Sequence, residues 1–243
     1  MEVKGKVALI TGSSTGIGLA TARLFSKNGA KIGLVARSAD ILQQLVSELP
    51  DSFAVSADLS EIDGISDVVD QIISHFGGVD ILINNAGRAF HAPIEKADAQ
   101  LYRKLLDLNV VSVMRLMQCV IPTMRKQGSG VIVNVSSGLT KRLVPGTGPY
   151  SATKYALNAL TLIAREELAS DHISVGVMYP GRTENTKFRE NAVVHIMRSQ
   201  STPPAGIRPP GRADTPQEVA EKILEAVQSE AAETFTASTQ GRA

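Results

Sequence analysis

Short runs of consecutive apolar residues alternate along the chain with stretches whose apolar positions recur every three or four residues. The runs predict β-strands at Val7–Thr11, Lys31–Ala36, Phe53–Ala57, Asp80–Asn84, Gly130–Val135 and Ile173–Tyr179. The periodic stretches predict helices over residues 17–28, 39–48, 62–75, 98–127 and 150–169. Strands that are apolar throughout belong in a parallel sheet covered on both faces, and alternation with helices supplies the cover. Right-handed crossovers then give a doubly wound α/β fold whose ligands bind at the carboxyl ends of the strands. Near the C-terminus Thr215, Pro216 and Glu218 are set as N-cap, first helical residue and capping-box partner of one more helix. A short strand near Thr234–Thr236 brings the sheet to about seven strands. No linker or repeat interrupts the series, so residues 1–243 read as a single domain. Residues 182–213 differ: they contain Pro203, Pro204, Pro209 and Pro210 and little apolar periodicity outside 192–197. A stretch of that length and character is expected to be a lid over the site or partly disordered.

Composition narrows the function. At 243 residues and 43% hydrophobic, the chain is long and apolar enough for one α/β domain with a large core. The net charge of +1 and the absence of a basic run argue against nucleic acid or an anionic membrane surface as partner. The single cysteine, Cys119, excludes an internal disulfide and a cysteine-based metal site, and fits a reducing compartment. His75, His91, His172 and His195 show no metal-ligand spacing and are expected on surfaces or loops. The N-terminus lacks the apolar core of a signal peptide, and no apolar stretch is expected to reach bilayer-spanning length. These features predict a soluble cytoplasmic protein with no metal.

Three constellations carry chemistry. In Tyr150-Ser151-Ala152-Thr153-Lys154 a phenol and an ammonium lie four residues apart on one helix face. A unit charge at ~4 Å and an effective dielectric of ~20 is worth roughly 4 kcal/mol, or about three pKa units. The expectation is therefore that Lys154 draws the Tyr150 hydroxyl down toward neutrality, where general acid/base catalysis works best. Next, Thr11-Gly12-Ser13-Ser14-Thr15-Gly16-Ile17-Gly18 follows the first strand and opens the first helix. Gly12 permits a tight turn, Gly16 a close approach of a pyrophosphate to the backbone, and Gly18 tight packing of helix on strand, with the helix N-terminus facing the phosphates. The spacing is Gly-x-x-x-Gly-x-Gly rather than Gly-x-Gly-x-x-Gly. Finally, the second strand ends in Ala36-Arg37-Ser38, with no acidic residue to bind a ribose 2′-hydroxyl. The Arg37 guanidinium suits a 2′-phosphate instead, with Ser13 and Ser38 as further donors.

Taken together, the glycine turn, Asn84-Asn85-Ala86-Gly87, Ser137, Tyr150 and Lys154 resemble the short-chain dehydrogenase/reductase family over roughly residues 5–185. The resemblance implies a Rossmann-type domain and a catalytic tetrad of Asn109, Ser137, Tyr150 and Lys154. Ser137 is preferred over Ser136 because it precedes Tyr150 by 13 residues (150 − 137), as in the family. It further implies that Asp58 and Leu59 border the adenine ring. Asn84, Ala86 and Gly87 line the cofactor while Asn85 is structural, and Pro180-Gly181 leads into its nicotinamide end. The family often has a hydroxyl residue five positions after that proline, where this chain has Asn185; Thr183 or Thr186 is left to substitute. Phe90, His91, Leu139, Val144, Pro145 and Met197 are expected around the substrate. Helix pairing in the family implies a homodimer or homotetramer, although the usual tetramer-building C-terminal ending is absent. The function implied is hydride transfer between NADP(H) and a small carbonyl or alcohol, with Tyr150 as general acid/base. An NAD-dependent dehydrogenase is opposed by Ala36-Arg37. A non-catalytic NADP(H) sensor is opposed by a serine, tyrosine and lysine in catalytic register.

Overall fold

A computed structural model describes residues 1–184, 186, 188, 193–194 and 212–241. Its elements are β1 (Val7–Thr11), α1 (Gly16–Lys27), β2 (Lys31–Ala36), α2 (Ala39–Glu48), β3 (Ser52–Ser56), α3 (Ile65–Phe76) and β4 (Ile81–Asn84). There follow β5 (Phe90–His91), α4 (Ala99–Leu106), α5 (Ser112–Gln127), β6 (Gly130–Val135), α6 (Gly148–Leu168) and β7 (Ile173–Tyr179). The last elements are β8 (Val193–Val194), α7 (Pro216–Ser229) and β9 (Glu233–Phe235). Seven strands form one parallel sheet in the order β3-β2-β1-β4-β6-β7-β9, and β5 pairs separately with β8. The order reverses between β1 and β4, which places a crevice at their carboxyl ends.

Alternate residues of each strand face opposite layers. On one side Ala8, Ile10, Ile32, Leu34, Ile81 and Ile83 pack under α1, α2 and α7 through Phe25, Leu42, Leu45, Val219 and Ile223. On the other, Leu9, Val35, Val55, Leu82, Ile132 and Val175 meet α3, α5 and α6 through Val69, Ile72, Leu116, Val120 and Leu157. One polar chain crosses this core: Asn84 Nδ2 donates to Asn134 Oδ1 at 2.8 Å, and Asn134 Nδ2 donates to Thr161 Oγ1 at 2.9 Å. These bonds tie β4 to β6 and β6 to α6.

The elements depart from the pattern-based expectation at instructive places. Asp80 lies just before β4, its carboxylate accepting the Val7 amide (2.9 Å) and the Lys6 ammonium (3.0 Å). The third strand begins one residue earlier than expected, and residues 62–64 form a 3₁₀ turn ahead of α3. The helix expected over 98–127 is interrupted by a π-helical turn at Asp107–Val111. Contrary to expectation, the 29-residue run Ala99–Gln127 is apolar and long enough, by composition and length, to cross a bilayer. Here it is a core helix, with Val113, Leu116, Met117, Val120 and Met124 buried against the sheet and α3.

The α7 capping box forms as the sequence indicates: Thr215 Oγ1 accepts the Glu218 amide at 3.2 Å, and Glu218 Oε2 accepts the Thr215 amide at 2.8 Å. Replacing Thr215 with Ala is expected to cost about 1 kcal/mol. For a chain of this length that lowers Tm by roughly 2–4 °C, as measured by thermal and urea denaturation; an unchanged midpoint would show that the box contributes nothing.

Candidate active site

The site gathers at the carboxyl ends of β1, β2, β4, β6 and β7. After β1, the backbone turns through Gly12 (φ +66°) and Gly16 (φ +56°), left-handed conformations that glycine adopts without strain. A Cβ on Gly18 would collide with the Gly12 carbonyl oxygen and the Asn85 amide, so the start of α1 packs against the turn as only glycine allows. Asn85 holds the turn from the β4 side: its Nδ2 donates to the Thr11 carbonyl at 2.9 Å, and its backbone N–H donates to Thr11 Oγ1 at 3.0 Å. Ser14, Thr15 and Ile17 lie in this turn and first helical residues, with Thr15 extended as the N-cap of α1 and making no side-chain capping bond. The cradle fits a dinucleotide pyrophosphate in that unpaired N–H groups open α1 behind a glycine turn.

Ser13 behaves differently from expectation. It is fully buried and its hydroxyl donates to the Val35 carbonyl at 3.3 Å, so it ties the turn to β2 and offers no donor to a ligand. Arg37 stands past the end of β2 with an exposed side chain, its Nη1 3.8 Å from Asp58 Oδ2. Ser38 follows as the N-cap of α2 and makes no side-chain capping bond. Burial raises the Asp58 carboxyl, but the hydrogen bonds from Ser60 (amide 3.0 Å, hydroxyl 2.7 Å) and the nearby Arg37 and Arg88 charges outweigh it, leaving a net lowering. Leu59 points into the core, so only its backbone is available at the surface. The Asn84 side chain is likewise inside the sheet, and its Oδ1 is buried with no hydrogen-bond partner.

The chemical groups converge from β6, α6 and the π-turn. Ser137 leaves β6 with its hydroxyl hydrogen-bonded to the Tyr150 phenol. Ser136 points elsewhere, donating to Asn158 Oδ1 at 2.5 Å. Lys154 is buried beside them, and its Nζ donates to the Val135 carbonyl at 2.8 Å. Asn109 sits in the π-turn, a feature frequent at functional sites. Its Oδ1 accepts the Arg88 amide at 3.0 Å, while its Nδ2 donates to the Arg88 carbonyl at 3.0 Å and to Thr153 Oγ1 at 3.1 Å. Gly87 lies between Asn109 and Lys154: a Cβ there would stand 3.1 Å from Asn109 Oδ1 and 3.7 Å from Lys154 Nζ. Ala86 packs on the core beneath.

The electrostatics correct the expectation drawn from the Tyr150–Lys154 spacing. Burial pushes the Tyr150 hydroxyl up to about 12, with the Ser137 hydrogen bond pulling the other way. Burial also lowers the Lys154 ammonium to about 8. The reason is desolvation: both groups lie where the charged form is disfavoured, and the ammonium hydrogen bond goes to the Val135 carbonyl. At neutral pH the pair is therefore a neutral phenol beside a largely protonated amine.

Past β7, the Pro180-Gly181 turn is held by a clasp that the sequence did not announce. Asp214, buried, accepts the Gly181 amide at 3.1 Å and the Ser238 hydroxyl at 2.6 Å through Oδ2. Thr236 Oγ1 accepts the same Gly181 amide at 3.2 Å, and Thr239 Oγ1 donates to the Tyr179 carbonyl at 2.8 Å. The Pro180 carbonyl in turn accepts the Gly138 amide at 2.8 Å, next to Ser137. Thr183 is engaged with the Gly181 carbonyl (3.3 Å) and pairs with Asp214 across an isolated bridge. It is Thr186 that lies against the phosphate turn, its methyl 3.0 Å from where a Gly16 Cβ would be. Asn185, His195, Met197 and most of the 182–213 stretch lie outside the described residues. Phe90 is buried with Tyr150 in a small cluster that Leu139 covers, and His91 follows it on β5. Thr153, Arg88 and Asp214 were not anticipated; only Thr153, inside the Tyr-x-x-x-Lys stretch, carried a local signal.

Residues 6–195 match the sequence profile of the family described as short chain dehydrogenase. The 3-oxoacyl-(acyl-carrier-protein) reductase of Thermotoga maritima is 34% identical over 237 residues, covering 92% of this chain and 91% of that one. A 3alpha-hydroxysteroid dehydrogenase of Mediterraneibacter gnavus is 31% identical over 230 residues, covering 92% and 90%. Among solved structures, the 3-ketoacyl-(acyl-carrier-protein) reductase of Brucella melitensis complexed with NADH superimposes with a TM-score of 0.85 at 28% identity, covering 98% of this chain and 99% of that one.

The buried Lys154 has a measurable signature. Its ammonium falls from 10.5 when unfolded to about 8 when folded, so between those values the unfolded chain binds a proton that the native chain does not. Stability attributable to this group is lowest below pH 8 and rises with pH. The unfolding free energy of the wild type relative to Lys154→Met is expected to increase by about 2–3 kcal/mol from pH 8 to pH 10, before the Tyr150 hydroxyl adds an opposite slope. A flat difference in urea denaturation across that window would rule the shift out.

Proposed function

We propose that this chain, which belongs to the short-chain dehydrogenase family of NAD(P)(H)-using oxidoreductases acting on small molecules, is an NADPH-dependent carbonyl reductase. The observation that carries the reading is the buried Tyr150 phenol, held neutral and hydrogen-bonded to Ser137 with Lys154 one helical turn away. A group in that state holds the proton that reduction consumes, which favours reduction as the direction in which the site works.

The Gly12–Gly18 turn and the α1 N-terminus would hold the pyrophosphate, with Thr186 beside it. Asp58, with the backbone of Leu59, would border the adenine, and Ala86, Gly87, Pro180 and Gly181 the nicotinamide end. Arg37 and Ser38 are the side chains at the end of β2 that suit a 2′-phosphate. Bound there, NADPH supplies the hydride. The chain supplies the rest. The Ser137 and Tyr150 hydroxyls donate hydrogen bonds to the carbonyl oxygen of the substrate and so stabilise the charge that develops on it. Tyr150 then transfers its proton to that oxygen, which as an alkoxide is a stronger base than the phenolate left behind. The Lys154 ammonium, fixed on the Val135 carbonyl, stabilises the phenolate across the helix turn. Asn109 keeps Arg88 and Gly87 in place above that lysine and ties the π-turn to Thr153.

We also place the working protein in an assembly of at least two chains. Met114 on α5 and Tyr155 and Ile163 on α6 are large apolar side chains exposed on helices that otherwise cover the core. Light scattering should report a dimer or larger, and a monomer would refute this.

Tyr150→Phe is expected to lower kcat by about 10²–10⁴-fold while NADPH still binds, read by steady-state kinetics and fluorescence titration; retained turnover would overturn the proton-transfer role. The wild type is expected to favour NADPH over NADH in kcat/KM. Arg37→Asp should remove about ten- to hundredfold of that ratio, in keeping with a charge-assisted bond. A wild-type preference for NADH, or an unmoved ratio in the variant, would defeat the cofactor assignment.

A further inference from the structure

Six large hydrophobic side chains are exposed among the described residues, and they fall into two groups. Met114, Tyr155 and Ile163 lie on α5 and α6. Ile94, Leu143 and Phe188 come from three separate connections, and each of those connections leads to Tyr150. Ile94 follows β5 and is 81% exposed; its Cδ1 is 4.0 Å from where a Cβ on Gly148, two residues before Tyr150, would stand. Leu143, 76% exposed, lies in the connection between Ser137 and α6. That connection is fixed against the β5 side by the Ala92 amide bonded to the Gly146 carbonyl at 3.0 Å. Phe188, 37% exposed, meets the Tyr150 ring edge-on at a centroid distance of 5.8 Å. Beneath them Tyr150 is embedded with Ala89, Phe90, Ala92 and Leu105, and Leu139 packs on the same cluster. On that connection Lys141 is turned away to Glu233 (3.4 Å) and to the Tyr179 and Phe235 rings, and Arg142, next to Leu143, is half-buried.

Scattered exposed hydrophobics are ordinary on a protein surface. Three arriving from different connections at the mouth of one buried phenol are a recognition surface. We infer that the substrate is an uncharged ketone or aldehyde with an extended apolar body, and that Ile94, Leu143 and Phe188 determine its selection by covering that body. The inference rests on the carbonyl reductase reading and specifies its substrate class. The carbonyl sits at Ser137 and Tyr150, and the alkyl or alicyclic remainder runs outward between the Ile94 and Leu143 connections. The side chains of Ile94, Leu143 and Phe188 give no bonding partner to a carboxylate or phosphate, and burying either against them is unfavourable.

The test is a homologous series of 2-alkanones of four to ten carbons, assayed with NADPH against keto acids of equal length bearing a terminal carboxylate. kcat/KM is expected to rise about two- to fourfold for each added methylene, the upper value corresponding to full burial, and the keto acids should be at least about tenfold poorer. In an Ile94→Ser, Leu143→Ser double variant the gain per methylene should shrink toward onefold; both positions are exposed, so folding is spared, and the wild-type slope is decisive by itself. Turnover with a flat series, or with a preference for the keto acids, overturns this inference and leaves carbonyl reduction standing. No turnover of any member, with NADPH bound, overturns both.

Discussion

An ammonium group sealed inside a protein must have its protons bonded, and in this fold the Lys154 Nζ finds the Val135 carbonyl at the last residue of β6. That bond sets more than the lysine. It fixes the axial position of α6 against the sheet, and α6 carries Tyr150 one turn earlier. Because β6 runs directly into Ser137, the same contact brings the serine hydroxyl to the phenol. The site is thus a by-product of how one helix is keyed to one strand. Asn134 and Thr161 repeat the keying deeper in the core, where the strand amide reaches the next turns of the same helix.

The environment that fixes the pair also decides its charge state. Spacing on a helix face shows that a cation is adjacent, but not whether water is present to solvate the resulting phenolate. Here the surroundings are dry, and burial dominates both groups in opposite directions. A neutral phenol next to a retained ammonium is a different resting state from a pre-ionised base.

What was legible in the sequence follows from which interactions are local. Strand runs such as Val7–Thr11 and Ile173–Tyr179 have their identity written in consecutive residues, and the Thr215 cap closes within four. The glycine turn was readable because φ > 0 at Gly12 and Gly16 leaves few other residues acceptable. The π-turn at 107–111 was not, and the contacts its Asn109 makes are equally non-local: the backbone of Arg88, 21 residues away, and Thr153, 44 away. Ser13 looked like a ligand donor by position, yet the β2 carbonyl beside it took its hydroxyl. Asp214 gave no signal either, as its partners Gly181 and Ser238 are separated from it by long stretches of chain.

The clasp around Gly181 has a consequence for how such a protein can diversify. Asp214 N–H bonds the Arg182 carbonyl at 2.8 Å and its own carbonyl accepts the Glu184 amide at 3.0 Å, so the chain leaves and re-enters the site through one pinned gateway. Closing a longer loop across a fixed gateway costs little extra, since loop entropy grows only logarithmically with length. Insertions and replacements between the two posts therefore leave the Pro180-Gly181 turn in place, whereas changes at Thr186 and Phe188 reach the glycine turn and Tyr150 directly.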